Sequence, residues 1–124
     1  LYPGTGRRDE IGAGHGRGFT HNVPLPAGYG DPEYQMVFER DLQILMDQFK
    51  PELIMLSAGF DAHEDDPLAG MKVTTEGFAR LTRTAKGFAE SYCKNRIVSV
   101  LEGGYDLKAL AESVLAHLQV LVHD

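Results

Sequence analysis

Two residues in this chain have the type and the placement for chemistry. Asp61 follows the run Leu53-Ile54-Met55-Leu56-Ser57-Ala58-Gly59-Phe60, and Tyr105 follows Arg96-Ile97-Val98-Ser99-Val100-Leu101-Glu102-Gly103-Gly104. A carboxylate just past an apolar run is placed to hold a metal ion or a polar substrate. A phenol, with a reference pKa of about 10, keeps its proton at neutral pH and can donate to a developing oxyanion. Each residue also has a plainer reading. Asp61 would cap a turn, and Tyr105 would pack at an ordinary strand-to-helix connection.

Both placements depend on strands. The apolar stretch Leu53–Leu56 is too short for a helix and suits a strand buried on both faces. Ser57, Ala58 and Gly59 then narrow the side chains, so another group can approach the backbone closely. The β-branched run at 96–101 is a second strand, and Gly103-Gly104 lets the chain turn and present the phenol at its carboxyl end. Ligands of open parallel α/β sheets sit beyond the carboxyl ends of the strands.

Helices alternate with these strands. Asp31-Pro32 starts the first, with Asp31 as N-cap and Pro32 at the first helical position. Tyr34, Phe38, Leu42, Leu45 and Phe49 give it a core-facing stripe, and Pro51 ends it. Thr74 or Thr75 caps the second, which buries Phe78, Leu81, Ala85, Phe88 and Tyr92, while Gly77 and Gly87 weaken it intrinsically. Asp106 caps the last, with a stripe at Leu107, Leu110, Val114, Leu118 and Leu121. Residues 1–21 read as a glycine-rich loop feeding a further strand at about 19–23. The chain is then a single domain over 1–124, with three β/α units over 22–124 in the order β-α-β-α-β-α. That is an α/β fold with a parallel sheet and right-handed crossovers.

Two tempting motifs fail. Gly12-Ala13-Gly14-His15-Gly16-Arg17-Gly18 lacks the strand that a dinucleotide loop requires before it. The acidic run Glu64-Asp65-Asp66 lacks calcium-loop spacing and reads as a solvated turn.

Five short pieces, in order and spanning nearly the whole chain, resemble the zinc-dependent histone deacetylase family, including acetylpolyamine amidohydrolases and acetoin-utilisation proteins. They are Tyr2-Pro3-Gly4-Thr5-Gly6, Asn22-Val23-Pro24-Leu25-Pro26, Ser57-Ala58-Gly59-Phe60-Asp61-Ala62, Asp66-Pro67-Leu68-Ala69-Gly70 and Leu101-Glu102-Gly103-Gly104-Tyr105. Their style is similar to the class II and bacterial branch. The resemblance implies a three-layer parallel sheet of the arginase/deacetylase type, of which this chain is the C-terminal part.

The resemblance also assigns roles. It makes Asp61 the third protein ligand of a catalytic Zn2+ and Tyr105 the catalytic oxyanion stabiliser. Gly103, Gly104, Leu68 and Tyr2 fall on the substrate channel. Phe19 falls where a backbone carbonyl holds a structural K+ in some members. Asp61-Ala62-His63 imitates the spelling of the family's Asp-x-His ligand pair. The preceding Ser57-Ala58-Gly59-Phe60 marks the third-ligand position instead, so His63 is read as a surface histidine. The family's adjacent His-His base is absent, since none of the five histidines adjoins another. The expected partners are an acetylated lysine peptide or small acetylamine, and the upstream part of the same domain. The isolated chain is expected to be inactive and to self-associate.

Composition sets outer bounds. At 124 residues, 43% hydrophobic and 24% charged, the chain reads as one globular domain. A net charge of -6 disfavours direct binding to nucleic acid or anionic membranes. One cysteine, Cys93, excludes an intrachain disulfide, and no apolar run spans a bilayer. With no signal peptide, these features imply a cytoplasmic location. The start at Leu1 inside a loop-like stretch implies a piece of something longer. Two other classes stay open from the residues alone: a non-catalytic α/β binding module that lost its metal site, and a purely structural set of βα units.

Overall fold

A computed structural model describes residues 3–123. It is an α/β chain with a parallel sheet, as expected. The first helix, α1 (Asp31–Met36), passes through a single π turn at Val37–Asp41 into α2 (Leu42–Phe49). β1 (Ile54–Ala58), α3 (Thr75–Tyr92), β2 (Ile97–Leu101) and α4 (Leu107–His123) follow. β1 and β2 pair in parallel with Ile54 opposite Ile97 and Ala58 opposite Leu101, so both strands end at one edge.

The strand expected at 19–23 does not form. A strand needs a ladder partner, and this segment makes loop contacts instead. The Asn22 side-chain amide donates to the carbonyls of Arg7 and Glu10, both at 3.0 Å, and staples the glycine-rich loop to itself. The described sheet therefore has two strands.

Alternation along those strands decides where the core lies. Leu56 and Ala58 point toward Tyr34, Phe38, Phe78 and Leu81, so α1, the π turn and α3 cover that face. Met55, Val98 and Val100 point the other way and are 68%, 46% and 50% exposed. Among the described residues nothing covers this second face, so the third layer expected of the full fold is not formed within them. The core itself gathers Phe60, Val73, Phe78 and Leu81, with Tyr34, Leu110 and Val114 packed around it. Phe60 meets Phe78 edge-on with ring centroids 5.0 Å apart.

The cap expected from Asp31 works differently. α1 receives no side-chain cap. The Asp31 carboxylate instead accepts from the backbone N–H of Thr74 at 2.8 Å, from the Thr74 hydroxyl at 2.6 Å and from Arg80 at 3.1 Å. Three donors and the positive end of α3 outcompete the start of its own helix. This explains Gly77, because a side chain there would collide with the Asp31 carboxylate. Thr74 caps α3 by accepting from Gly77 N at 2.9 Å, and Asp106 caps α4 by accepting from Ala109 N at 2.8 Å. Among the described residues, no helix is long and apolar enough to cross a membrane.

Candidate active site

The carboxyl ends of β1 and β2 are laced together by their backbones. Glu102 N donates to Ala58 O at 3.0 Å, and Phe60 N donates to Gly103 O at 2.8 Å. This lacing sets Gly59, Asp61 and Gly103 side by side. A Cβ placed on Gly59 would lie 3.1 Å from Asp61 Oδ1. One placed on Gly103 would lie 2.9 Å from Asp61 Oδ2 and 3.1 Å from the Tyr105 Oη. Gly103 thus leaves the room in which a carboxylate and a phenol approach one point, and Gly59 keeps the carboxylate's other oxygen clear.

Among the described residues Asp61 makes no hydrogen bond and no ion pair. A turn-capping aspartate would accept from a backbone N–H close ahead. Here the nearby His63 N–H donates to the Phe60 carbonyl at 3.2 Å instead. Asp61 is held by its neighbours in the chain, since Phe60 is buried in the core and Val73 N donates to Ala62 O at 3.0 Å. Its charge reaches Tyr34 on α1, whose phenol pKa is raised by burial first and by the Asp61 charge second.

Gly104 faces the opposite way from Gly103. Its φ is 146°, and a Cβ would lie 2.7 Å from Leu110 Cδ1 and 3.5 Å from Phe60 Cβ. The positive φ, with the nearby Leu110 side chain on α4, favours glycine here. Tyr105 is 56% exposed, with its phenol beside Gly103. Leu68 is 62% exposed, which excludes a core role for it. Phe19 is also exposed and meets Phe49 edge-on at 6.1 Å. Tyr2 lies outside the described residues.

His63 is not the surface histidine expected from sequence. It is 4% exposed and stacks on Phe78. Its Nδ1 accepts from Asp65 N at 3.0 Å, and its Nε2 lies 3.1 Å from the Thr75 hydroxyl. With both ring nitrogens occupied, it stands as a structural pin of the loop after Asp61 rather than a ligand.

Glu64 and Asp65 lie in an exposed turn as expected, but Asp66 departs from that reading. It is 8% exposed, and its two carboxylate oxygens accept from Leu68 N and Tyr105 N, each at 2.9 Å. His117 is the second residue missed. It is buried on α4, with Thr82 Oγ1 2.8 Å from its Nδ1, Ser99 Oγ 2.8 Å from its Nε2, and Phe60 edge-on to its ring. Burial lowers its pKa. The signal for Asp66 was its place in Asp66-Pro67-Leu68-Ala69-Gly70, whereas His117 sits on an ordinary helix and gave none.

Among the described residues, no group of three or more His, Cys, Asp or Glu is close enough together to hold a metal ion. Asp61 is accordingly one unpartnered carboxylate beside one phenol.

Comparison with known proteins gives this arrangement its family. The sequence profile of the histone deacetylase domain matches residues 1–121. A probable deacetylase of Archaeoglobus fulgidus is 45% identical over 108 residues, covering 87% of this chain and 30% of that protein. Histone deacetylase 14, chloroplastic, of Arabidopsis thaliana is 44% identical over 121 residues, covering 98% of this chain and 29% of that protein. Among solved structures, the HDA15 HD domain superposes with a TM-score of 0.89 at 37% identity, covering 98% of this chain and 33% of that one. The histone deacetylase Clr3 superposes with a TM-score of 0.88 at 34% identity, covering 98% of this chain and 20% of that one. The chain thus spans less than a third of the archaeal and plant relatives. With a profile match over residues 1–121 and relatives of this identity, it belongs to the histone deacetylase domain family.

Proposed function

We propose that this chain is the part of a zinc-dependent deacetylase that carries one metal ligand and the oxyanion donor. The intact protein would hydrolyse the acetyl amide of a lysine side chain, or of a related small acetylated amine, to the free amine and acetate. The observation that carries this reading is the approach of Asp61 and Tyr105 to one point beside Gly103. Family membership supports it from a second direction.

The chemistry of Asp61 fits a divalent cation. It is an oxygen donor with no partner among the described residues, and Gly59 and Gly103 keep side chains away from both of its oxygens. Zinc, when bound, supplies Lewis-acid polarisation of a carbonyl and a lowered pKa for water. The chain's own contribution is orientation and hydrogen bonding. β1 and the buried Phe60 hold Asp61 in position, and its charge offsets part of a cation's. The Tyr105 phenol donates to the carbonyl oxygen as negative charge develops there. Gly103 keeps the space between the two free. Leu68, exposed on the following loop, offers an apolar wall to the methylene stem of a lysine-like substrate. The remaining ligands and the general base belong to parts of the parent protein outside this chain. A structural K+ at the Phe19 carbonyl and a cytoplasmic location complete the proposal.

The test uses the intact parent enzyme. Asp61→Asn replaces an anionic ligand with a neutral, poorer one. Bound zinc after dialysis and turnover of an acetyl-lysine peptide should fall together. A variant that keeps both would remove Asp61 from the metal site.

A further inference from the structure

We propose that Asp66 is a positioning residue that ties the substrate-pocket wall to the oxyanion donor, so that Leu68 and Tyr105 are set by one carboxylate. The proposal rests on the reading of Tyr105 as that donor. Asp66 Oδ1 accepts from Leu68 N and Oδ2 accepts from Tyr105 N, each at 2.9 Å. The second bond joins segments 39 residues apart in sequence. Asp66 itself is 8% exposed, whereas the two residues it holds are 62% and 56% exposed. Two exposed surface side chains are thus anchored at their backbones by a single buried carboxylate.

The anchor is strong for its size. Hydrogen bonds to an ionised acceptor are roughly twice as strong as neutral ones. Burial keeps water from competing for the same donors. Beyond Asp66, the Tyr105 segment has the Gly103-Gly104 turn behind it, and glycines do little to fix a backbone. Without Asp66, the segment after β2 loses the contact that sets the direction of the Tyr105 phenol. Misplacement of a catalytic group by about 1 Å can cost on the order of 100-fold in rate. A substrate stem pressing on the Leu68 wall would act on the same carboxylate, so seating of substrate and aiming of the phenol are mechanically linked.

Asp66→Asn tests the link in the intact, zinc-loaded enzyme. The amide keeps the shape but retains one acceptor oxygen and turns an NH2 toward one of the two backbone N–H groups. With an acetyl-lysine peptide, kcat should fall about tenfold with zinc content unchanged. The decisive measurement is the same substitution in a Tyr105→Phe background. If Asp66 acts through the phenol, it should then change kcat less than about twofold. An equal fold-loss in both backgrounds, with Tyr105→Phe itself impaired, overturns the Asp66 proposal and leaves the oxyanion role of Tyr105 standing. Wild-type turnover in Tyr105→Phe overturns that role, and this proposal with it. Should Asp66→Asn fail to fold, the cycle is run with Asp66→Glu, which keeps the charge and displaces the acceptors. In the unmodified enzyme the Tyr105 amide should resist hydrogen exchange, and exchange at the rate of a free loop would overturn the proposal without any variant.

Discussion

The phenol oxygen of Tyr105 and a carboxylate oxygen of Asp61 lie within 3.1 Å of the same point, the place a Cβ on Gly103 would occupy. Gly103 does not occupy the left-handed region, so its lack of a side chain answers to these two neighbouring groups and not to the backbone. Gly103→Ala should therefore leave the fold nearly intact while displacing both groups. Forcing a methyl into filled space costs about 1–3 kcal/mol. If that cost falls on the transition state, turnover of the parent enzyme drops roughly 10- to 100-fold. Kinetics and melting temperature on the same preparation check this. An active variant would mean that the two groups need not approach that point.

The uncovered sheet face sets the behaviour of the chain by itself. Met55, Val98 and Val100 form an apolar patch on the face opposite the helices. Contiguous patches of this kind mark surfaces that need a partner. The isolated chain should associate with rising concentration, hydrolyse no acetyl-lysine peptide and retain no stoichiometric zinc. Sedimentation at several concentrations, with metal analysis after dialysis, decides it. A monomer throughout, or turnover with bound zinc, would contradict the assignment of the missing parts to the parent protein.

His117 gives a pH dependence with a definite sign. Burial lowers its folded-state pKa below the ordinary 6.5. Above that value it is neutral in both folded and unfolded chains and contributes no slope. As pH falls below 6.5, the unfolded chain takes up a proton that the folded chain resists, so stability falls until the folded-state pKa is passed. The melting temperature of the parent protein should drop as pH falls below about 6.5. His117→Gln, which cannot titrate, should flatten part of that drop. Equal slopes in both proteins would show that His117 titrates normally in the fold.

The strand ends that carry Asp61 and Tyr105 were legible in the sequence because their signals are local. An apolar run, small residues and then Asp61 or Tyr105 lie within a dozen positions. Thr74 and Asp106 as caps were legible for the same reason. What escaped depends on distant partners. The strand at 19–23 looked right by composition but has no ladder partner among the described residues. Asp31 sits at a well-formed helix start, yet donors 43 residues away claim its carboxylate. Asp66 and His117 are defined by bonds spanning 39 and 35 residues, which no local pattern announces. His63 was misplaced on the surface because its burial comes from Phe78 and Thr75, not from its own polar neighbours.

Tyr105→Phe in the intact enzyme tests the central claim most directly. The change removes one oxygen and leaves the ring, and the phenol is exposed enough that burial hardly alters. Loss of one oxyanion donor costs a factor of about 100 to 1,000 in turnover. The account predicts that loss in kcat for an acetyl-lysine peptide, with bound zinc and melting temperature unchanged. Wild-type turnover in this variant, with zinc in place, would contradict it.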